Sequence, residues 1–258
     1  MKYFLDTEFI EAGRHKPVTL ISIGLVAEDD RSLYAVSSEF NPDDANDWVK
    51  ENVLTQLGTE TRCTIPEIAE GVKDFCNPNL HGKPEFWGYY ADYDWVAFCQ
   101  MFGTMMDLPK GFPMYCHDIK QFADNVGNPK LPEQGKAEHN AVADARWNKT
   151  SYEFLHKYSV QSGAFKIAAE RQRQIEVEGW TPEHDAEHKN GELSLAARCY
   201  AQTAQAQICG WSSGAPERTW PWSNKWWKPS DDPIRNLVKA GALTAAEIDR
   251  LQRKASSS

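Results

Sequence analysis

Apolar and polar positions along the first 160 residues fall into short blocks with two different periods. Residues 2–8, 18–27 and 33–40 have the spacing and the β-branched and aromatic content of strands, and 18–27 is an almost continuous apolar run suited to a buried strand. The breaks at 12–17 and 28–32 are short enough to join antiparallel neighbours. Helical spacing follows at 45–57 and at 65–76, the second opened by Thr64 with Pro66 in its first turn. Residues 85–90 read as an aromatic strand. Between 92 and 102, apolar residues at 95, 96, 98, 99 and 102 form a helical stripe. A short strand at 114–117, a short helix at 119–126, a proline-containing loop at 127–134 and a long helix from about 138 to 158 complete this part.

Beyond residue 159 the pattern changes. Residues 164–177 form a charged amphipathic helix and 193–206 an Ala-rich one, and 231–253 predicts two more. Between them lies a loop at 211–229, dense in Trp and Pro. The order β-β-β-α-β-α-β-α predicts an α/β domain over residues 1–160, a mixed sheet flanked by helices as in the RNase H-like fold. Residues 161–258 form a small, mainly α-helical appendage.

Composition narrows the reading. The chain has 258 residues, 41% of them hydrophobic, enough for a substantial core. No apolar run reaches the length of a bilayer span and the first strand begins almost at Met1, so neither a membrane protein nor a signal peptide is expected. The cysteines at 63, 76, 99, 116, 199 and 209 show no paired spacing, which predicts reduced thiols in a cytoplasmic protein. Residues 162–258 hold 13 Lys and Arg against 12 Asp and Glu, which leaves 15 against 25 in residues 1–161. So acidic a domain binds polyanions poorly unless metal ions reverse the local charge.

The acidic residues include a chemically suggestive set. On a strand, i and i+2 share a face, so Asp6 and Glu8 place two carboxylates side by side at the end of the first strand. Such a pair is tolerable mainly with a cation between them, although a polar strand end facing water has the same sequence. Asp94 opens a helix that follows a strand, where open α/β sheets collect ligands and where an Asp also serves as an N-cap. His139 and Asp144 lie five apart in what reads as one helix, with Ala141, Ala143 and Ala145 small enough for close approach to a sheet. A solvated polar face accounts for either residue taken alone.

In order and spacing, Asp6-Thr7-Glu8, Tyr93-Asp94 and His139-x-x-x-x-Asp144 resemble the three motifs of the DEDDh 3′–5′ exonucleases. Asp6-Thr7-Glu8-Phe9-Ile10-Glu11, Leu20-Ile21-Ser22-Ile23-Gly24, Tyr90-Ala91-Asp92-Tyr93-Asp94 and His139-Asn140-Ala141-x-Ala143-Asp144-Ala145 resemble, more narrowly, the polyadenylate-specific exoribonuclease AS family. The resemblance implies that Asp6, Glu8, Asp94 and Asp144 hold two divalent ions, Mg²⁺ or Mn²⁺. It implies that His139 is the general base, and that nucleoside 5′-monophosphates leave the 3′ end of single-stranded, adenosine-rich RNA. A homodimer is implied as well. Many DEDDh enzymes carry Asn where this chain has Tyr90, which bears on substrate contacts and not on the metal ligands. Thr7, Phe9 and Tyr90 are the expected substrate contacts, Phe9 as a stacking residue or as an ordinary core residue. DNA as the substrate, or an inactive RNA-binding adaptor, are the alternatives. An adaptor has no need of four convergent carboxylates.

The C-terminal part lies outside that resemblance. Gly179-Trp180-Thr181-Pro182-Glu183-His184-Asp185, Gly191-Glu192-Leu193 and Trp226-Trp227-Lys228-Pro229 resemble a segment that recurs in phage-encoded and bacterial proteins. His184 and His188 echo a helical zinc pair, but with no third ligand, and helix capping explains the acidic residues between them. The Trp- and Lys-rich stretch 220–228 suits either base stacking or, more simply, stapling of a small helical unit.

Overall fold

Among the described residues six strands, β1 (Lys2–Glu11), β2 (Val18–Ala27), β3 (Ser32–Ser37), β4 (Arg62–Cys63), β5 (Glu85–Gly88) and β6 (His117–Asp118), form one mixed sheet in the order β4-β3-β2-β1-β5-β6. The computed structural model describes residues 1–11, 13–59, 61–135, 139–211 and 219–256. The predicted helix start at 138, the loop segment 212–218 and residue 12 of the first predicted break lie outside the described residues. β1–β2 and β2–β3 are antiparallel, whereas β3–β4, β1–β5 and β5–β6 are parallel.

The helices are α1 (Asp47–Asn52), α2 (Ile65–Phe75), α3 (Pro78–His81), α4 (Asp92–Phe102), α5 (Ile119–Asn125), α6 (Ala141–Gln161), α7 (Gly163–Glu178), α8 (Pro182–Asp185), α9 (Glu192–Cys209) and α10 (Pro233–Ser256). The chain folds as two compact units, Met1–Tyr158 and Ser159–Ser258. Among the described residues no helix is long and apolar enough to cross a membrane. All six cysteines are free thiols.

The two-residue period of β1 divides its side chains between two layers. Tyr3 and Leu5 join Ile23 and Leu25 in packing against α2 and α4, where Ile68, Val72, Phe98 and Met101 are buried. Phe4 and Val26 face the other way, against Ile119 and Ala123 of α5 and Ala145 of α6. Asp6 and Glu8 continue the second row. α2 starts as expected, with a capping box in which Thr64 and Glu67 satisfy each other's backbone N–H groups. α6 is tied to the sheet by polar bonds. Buried Lys149 donates to the carbonyls of Ala27 and Glu28 and to Asp30, and Nδ2 of Asn148 donates to the carbonyl of Leu5 at 2.9 Å.

Several elements differ from the sequence reading. The helix expected at 45–57 is a short α1 followed by a 3-10 turn at Leu54–Gln56, and β4 was not foreseen at all. β6 falls at His117–Asp118 instead of 114–117, and His139 precedes α6 instead of lying on it. In the C-terminal unit the two helices expected at 231–253 are one, α10. Gly241, inside α10, is a contact point. A Cβ there would sit 2.5 Å from Cδ1 of Ile167 on α7, so the glycine lets two helices touch. The core of this unit joins α9 and α10 through Leu193, Ala196, Tyr200 and Leu243, with Trp220, Trp222 and Trp227 packed on it. These three tryptophans staple the unit, as the simpler reading of that stretch expected.

Candidate metal and active site

The acidic cluster forms where α6 crosses β1 and β2. In an antiparallel pair, residues directly opposite one another carry their side chains on one face. Asp6 is opposite Gly24, and Glu8 is opposite Ser22. A Cβ on Gly24 would lie 2.1 Å from the carbonyl oxygen of Ala141, so only a glycine lets the first turn of α6 rest on the sheet here. Ala141 and Ala145 are fully buried in that contact, and Asp144 is carried on the same helix. The sheet register shifts between Glu8 and Phe9. A bulge of this kind bends a strand and re-aims its side chains.

Glu8, His139 and Asp144 converge so closely that one ligand atom from each lies within 4.8 Å of the others. His139 adopts a left-handed backbone with φ of 69°. In that conformation its backbone N–H donates to Oδ2 of Asp144 at 2.9 Å, while Gln134 donates to Oδ1 at 2.5 Å. The exposed ring of Trp48, from α1, meets the imidazole of His139 edge-on at 4.9 Å.

Asp94 enters from α4 on the opposite side of β1. Its Oδ1 accepts from both the backbone N–H and the hydroxyl of Thr7, each at 2.7 Å. Ala91 is the N-cap of α4, so Asp94 does not cap its helix. The turn before α4 is held by Asp118, which accepts from the N–H of Ala91 at 2.9 Å and also caps α5 through the N–H of Gln121.

Electrostatics mark these carboxyls as one cluster. Burial, then Asp94, Glu8 and Asp144, push the proton affinity of Asp6 well above the carboxylate range. Burial, then Asp144 and Asp94, raise Glu8 to about 8. Asp94 is raised to about 6 by burial, with its bonds from Thr7 opposing the rise. Carboxyls brought together against their own repulsion are a feature of cation sites and of acid–base centres.

The residues expected to touch substrate sit around this cluster. Thr7 is buried, and its hydroxyl is engaged by Asp94. Phe9 stacks on Tyr93 with ring centroids 5.6 Å apart, and Tyr93 is about half exposed. Tyr90 is 63% exposed and has φ of 53°, an uncommon conformation for a bulky residue. The sequence reading missed Gln134, Asp118 and Trp48. Gln134 falls in a loop with no periodicity to flag it. The signal for Asp118 was its place before a helical stretch, where Asp is a frequent cap.

Residues 1–156 match the family described as the 3′–5′ exoribonuclease Rv2179c-like domain. The chain is 38% identical over 149 residues to the 3′–5′ exoribonuclease Rv2179c of Mycobacterium tuberculosis (strain ATCC 25618 / H37Rv), covering 57% of this chain and 88% of that protein. The 3′–5′ exoribonuclease MT2234.1 of strain CDC 1551 / Oshkosh matches at the same identity over the same shares.

Proposed function

The chain belongs to the 3′–5′ exoribonuclease Rv2179c-like family, and we propose that it removes nucleoside 5′-monophosphates one at a time from the 3′ end of single-stranded RNA. The observation that carries this reading is the convergence of Glu8, His139 and Asp144, with the carboxyls of Asp6 and Asp94 near enough for the acidic groups to repel one another. On the same reading the N-terminal domain is an RNase H-like nuclease of the DEDDh type.

The donor set fits hard divalent cations. It consists of carboxylate oxygens, with no thiolate among them, and Mg²⁺ and Mn²⁺ prefer such ligands. Asp6, Glu8, Asp94 and Asp144 are the residues that would hold two such ions. When bound, these ions neutralise the phosphodiester and make a water molecule acidic enough to act as nucleophile. The protein's own part is positional. Thr7 fixes one oxygen of Asp94, and Gln134 with the backbone of His139 fixes both oxygens of Asp144, so their free lone pairs point in set directions. His139 accepts the proton of the attacking water at a ring nitrogen, and its edge contact with Trp48 limits rotation of that ring. Phe9 and Tyr93, stacked beside Glu8, offer an aromatic platform to the terminal base.

The decisive experiment digests matched 3′-labelled and 5′-labelled RNA and DNA oligonucleotides, with Mg²⁺, with Mn²⁺ and with EDTA. Stepwise shortening from the 3′ end, dependent on the ion and faster on RNA, is the expected result. Adenosine-ended and uridine-ended strands in the same digest read out base preference. Internal cleavage, or undiminished digestion in EDTA, would overturn the proposal.

A further inference from the structure

The C-terminal unit contains a cavity of about 500 Å³ that the chemistry of the acidic cluster does not use. Its walls come from α7, α8, α9, α10 and the segment 220–228, all within Ser159–Ser258. Aromatic rings supply much of the lining, namely Trp180, Tyr200, Trp220, Trp222 and Trp226. Some of these rings are committed to the core. Trp220 contacts both Trp222 and Trp227, and Tyr200 packs on Trp227. Trp226 is not so committed, being 45% exposed with Lys225 and Lys228 over its ring at 5.3 and 5.7 Å.

The polar part of the wall is unusual for a structural core. Glu170, Gln174 and Asp185 are almost completely buried. Glu170 is paired with Arg173 and Arg235, and Asp185 with Arg171. Even so, Nε of Arg171, Oε1 of Gln174 and Nδ1 of His184 are buried without a hydrogen-bond partner among the described residues. Buried polar atoms left in this state each carry a desolvation penalty, and three on residues of one cavity wall are a recurrent sign of a missing ligand or water. The charged lining also has a cationic surplus. Arg171, Arg173, Lys228 and Lys239 face Glu178 and the two buried carboxylates.

We propose that this cavity binds a nucleotide, its base held between tryptophan and tyrosine rings and its phosphate by Lys228 and Lys239. A flat, edge-polar ring system uses the aromatic walls and, with small side-chain rotations, offers both a donor and an acceptor to Gln174, Arg171 and His184. An aliphatic ligand would leave these polar atoms unsatisfied, and a simple anion would leave the aromatic walls unfilled. The same unit of chemistry is available as a free nucleoside monophosphate or as one residue of a single-stranded RNA. The inference stands on the C-terminal unit alone and does not depend on the chemistry assigned to the acidic cluster.

The test is titration of the 258-residue chain in EDTA with AMP, GMP, CMP and UMP, followed by calorimetry and tryptophan fluorescence. Inorganic phosphate serves as a parallel ligand. Saturable binding of at least one nucleotide is expected, weakened roughly tenfold or more by Trp226→Ala, the scale of one lost base-stacking contact. Lys239→Met should weaken binding of the nucleotide but not of the corresponding nucleoside. This rim substitution keeps the test valid if Trp226→Ala disturbs the fold. Asp6→Asn should leave the affinity unchanged. Competition by an RNA oligonucleotide would identify a strand as the source, and its failure would identify the free nucleotide. Phosphate binding as tightly as any nucleotide would overturn the proposal. So would the absence of nucleotide binding, or its loss in Asp6→Asn with retention in the two C-terminal variants.

Discussion

Glu8→Gln preserves the shape of the side chain and removes one charge from the acidic cluster. In the metal-free protein Glu8 holds its proton up to about pH 8, against 4.5 for an ordinary glutamate, because it is buried beside Asp144 and Asp94. A folded-state value above the unfolded one means that the folded protein binds the proton more tightly. The associated stability is fully present below about pH 4.5 and falls as pH rises towards 8. The slope is about 1.4 kcal/mol per pH unit, which gives a loss of about 3 kcal/mol at pH 7 and about 5 kcal/mol above pH 8. Asp94, raised to about 6, adds a contribution of the same sign. Glu8→Gln escapes its share of this loss. Urea unfolding in EDTA, followed by far-ultraviolet circular dichroism at pH 4, 7 and 8.5, should show parent and variant alike at pH 4. The variant should then lead by a margin that grows with pH. Excess Mn²⁺ should close the gap, because the ion restores the parent. A gap of constant size across the pH range, or a parent more stable than the variant at pH 8.5 in EDTA, would refute the reasoning.

Asp6→Ala and Asp144→Ala should abolish nucleotide release while leaving the circular dichroism spectrum intact, and His139→Ala should slow release by roughly 10²–10⁴-fold, the scale of a general base; chromatography of released mononucleotides measures all three. Gly24→Ala forces a methyl group against the carbonyl of Ala141 and should lower stability by about 1–3 kcal/mol. Because the contact carries the helix bearing Asp144, the same variant should bind Mn²⁺ more weakly by calorimetry. Asn148→Ala removes the donor to the carbonyl of Leu5 and should lower stability by about 1–3 kcal/mol in urea unfolding.

What could be read from the sequence was whatever depends on local period. The two-residue repeat of β1 put Asp6 and Glu8 on one face, and the structure has them in one row with Phe4. The capping signal at Thr64 located α2 to the residue. What could not be read depends on partners distant in the chain. β4 is two residues long and exists because β3 offers it an edge. The role of Gly241 shows only once Ile167 is placed against it. His139 has the spacing of a helical residue, and only its bond to Asp144 shows why it turns into a left-handed conformation before α6 begins. The mutual position of the carboxyls was legible as a set through their order along the chain. Of their supports, Gln134 carries no pattern of its own, and Asp118 carries only that of a helix cap, with nothing to link it to Ala91 and the turn before α4.

The polar tie from Asn148 to Leu5 joins residues 143 positions apart. A ribosome therefore completes β1 and its antiparallel neighbours long before it delivers α6. In the folded chain α6 is the element that covers Asp6 and Glu8 on this face of the sheet. The repulsion that Asp144 exerts on Asp6 and Glu8 therefore needs α6 in place, and the least favourable contact of the cluster depends on the part of the N-terminal unit that is synthesised last. A chain ending before residue 141 would keep Asp6, Glu8 and Asp94 but lack Asp144 and the helix that carries it.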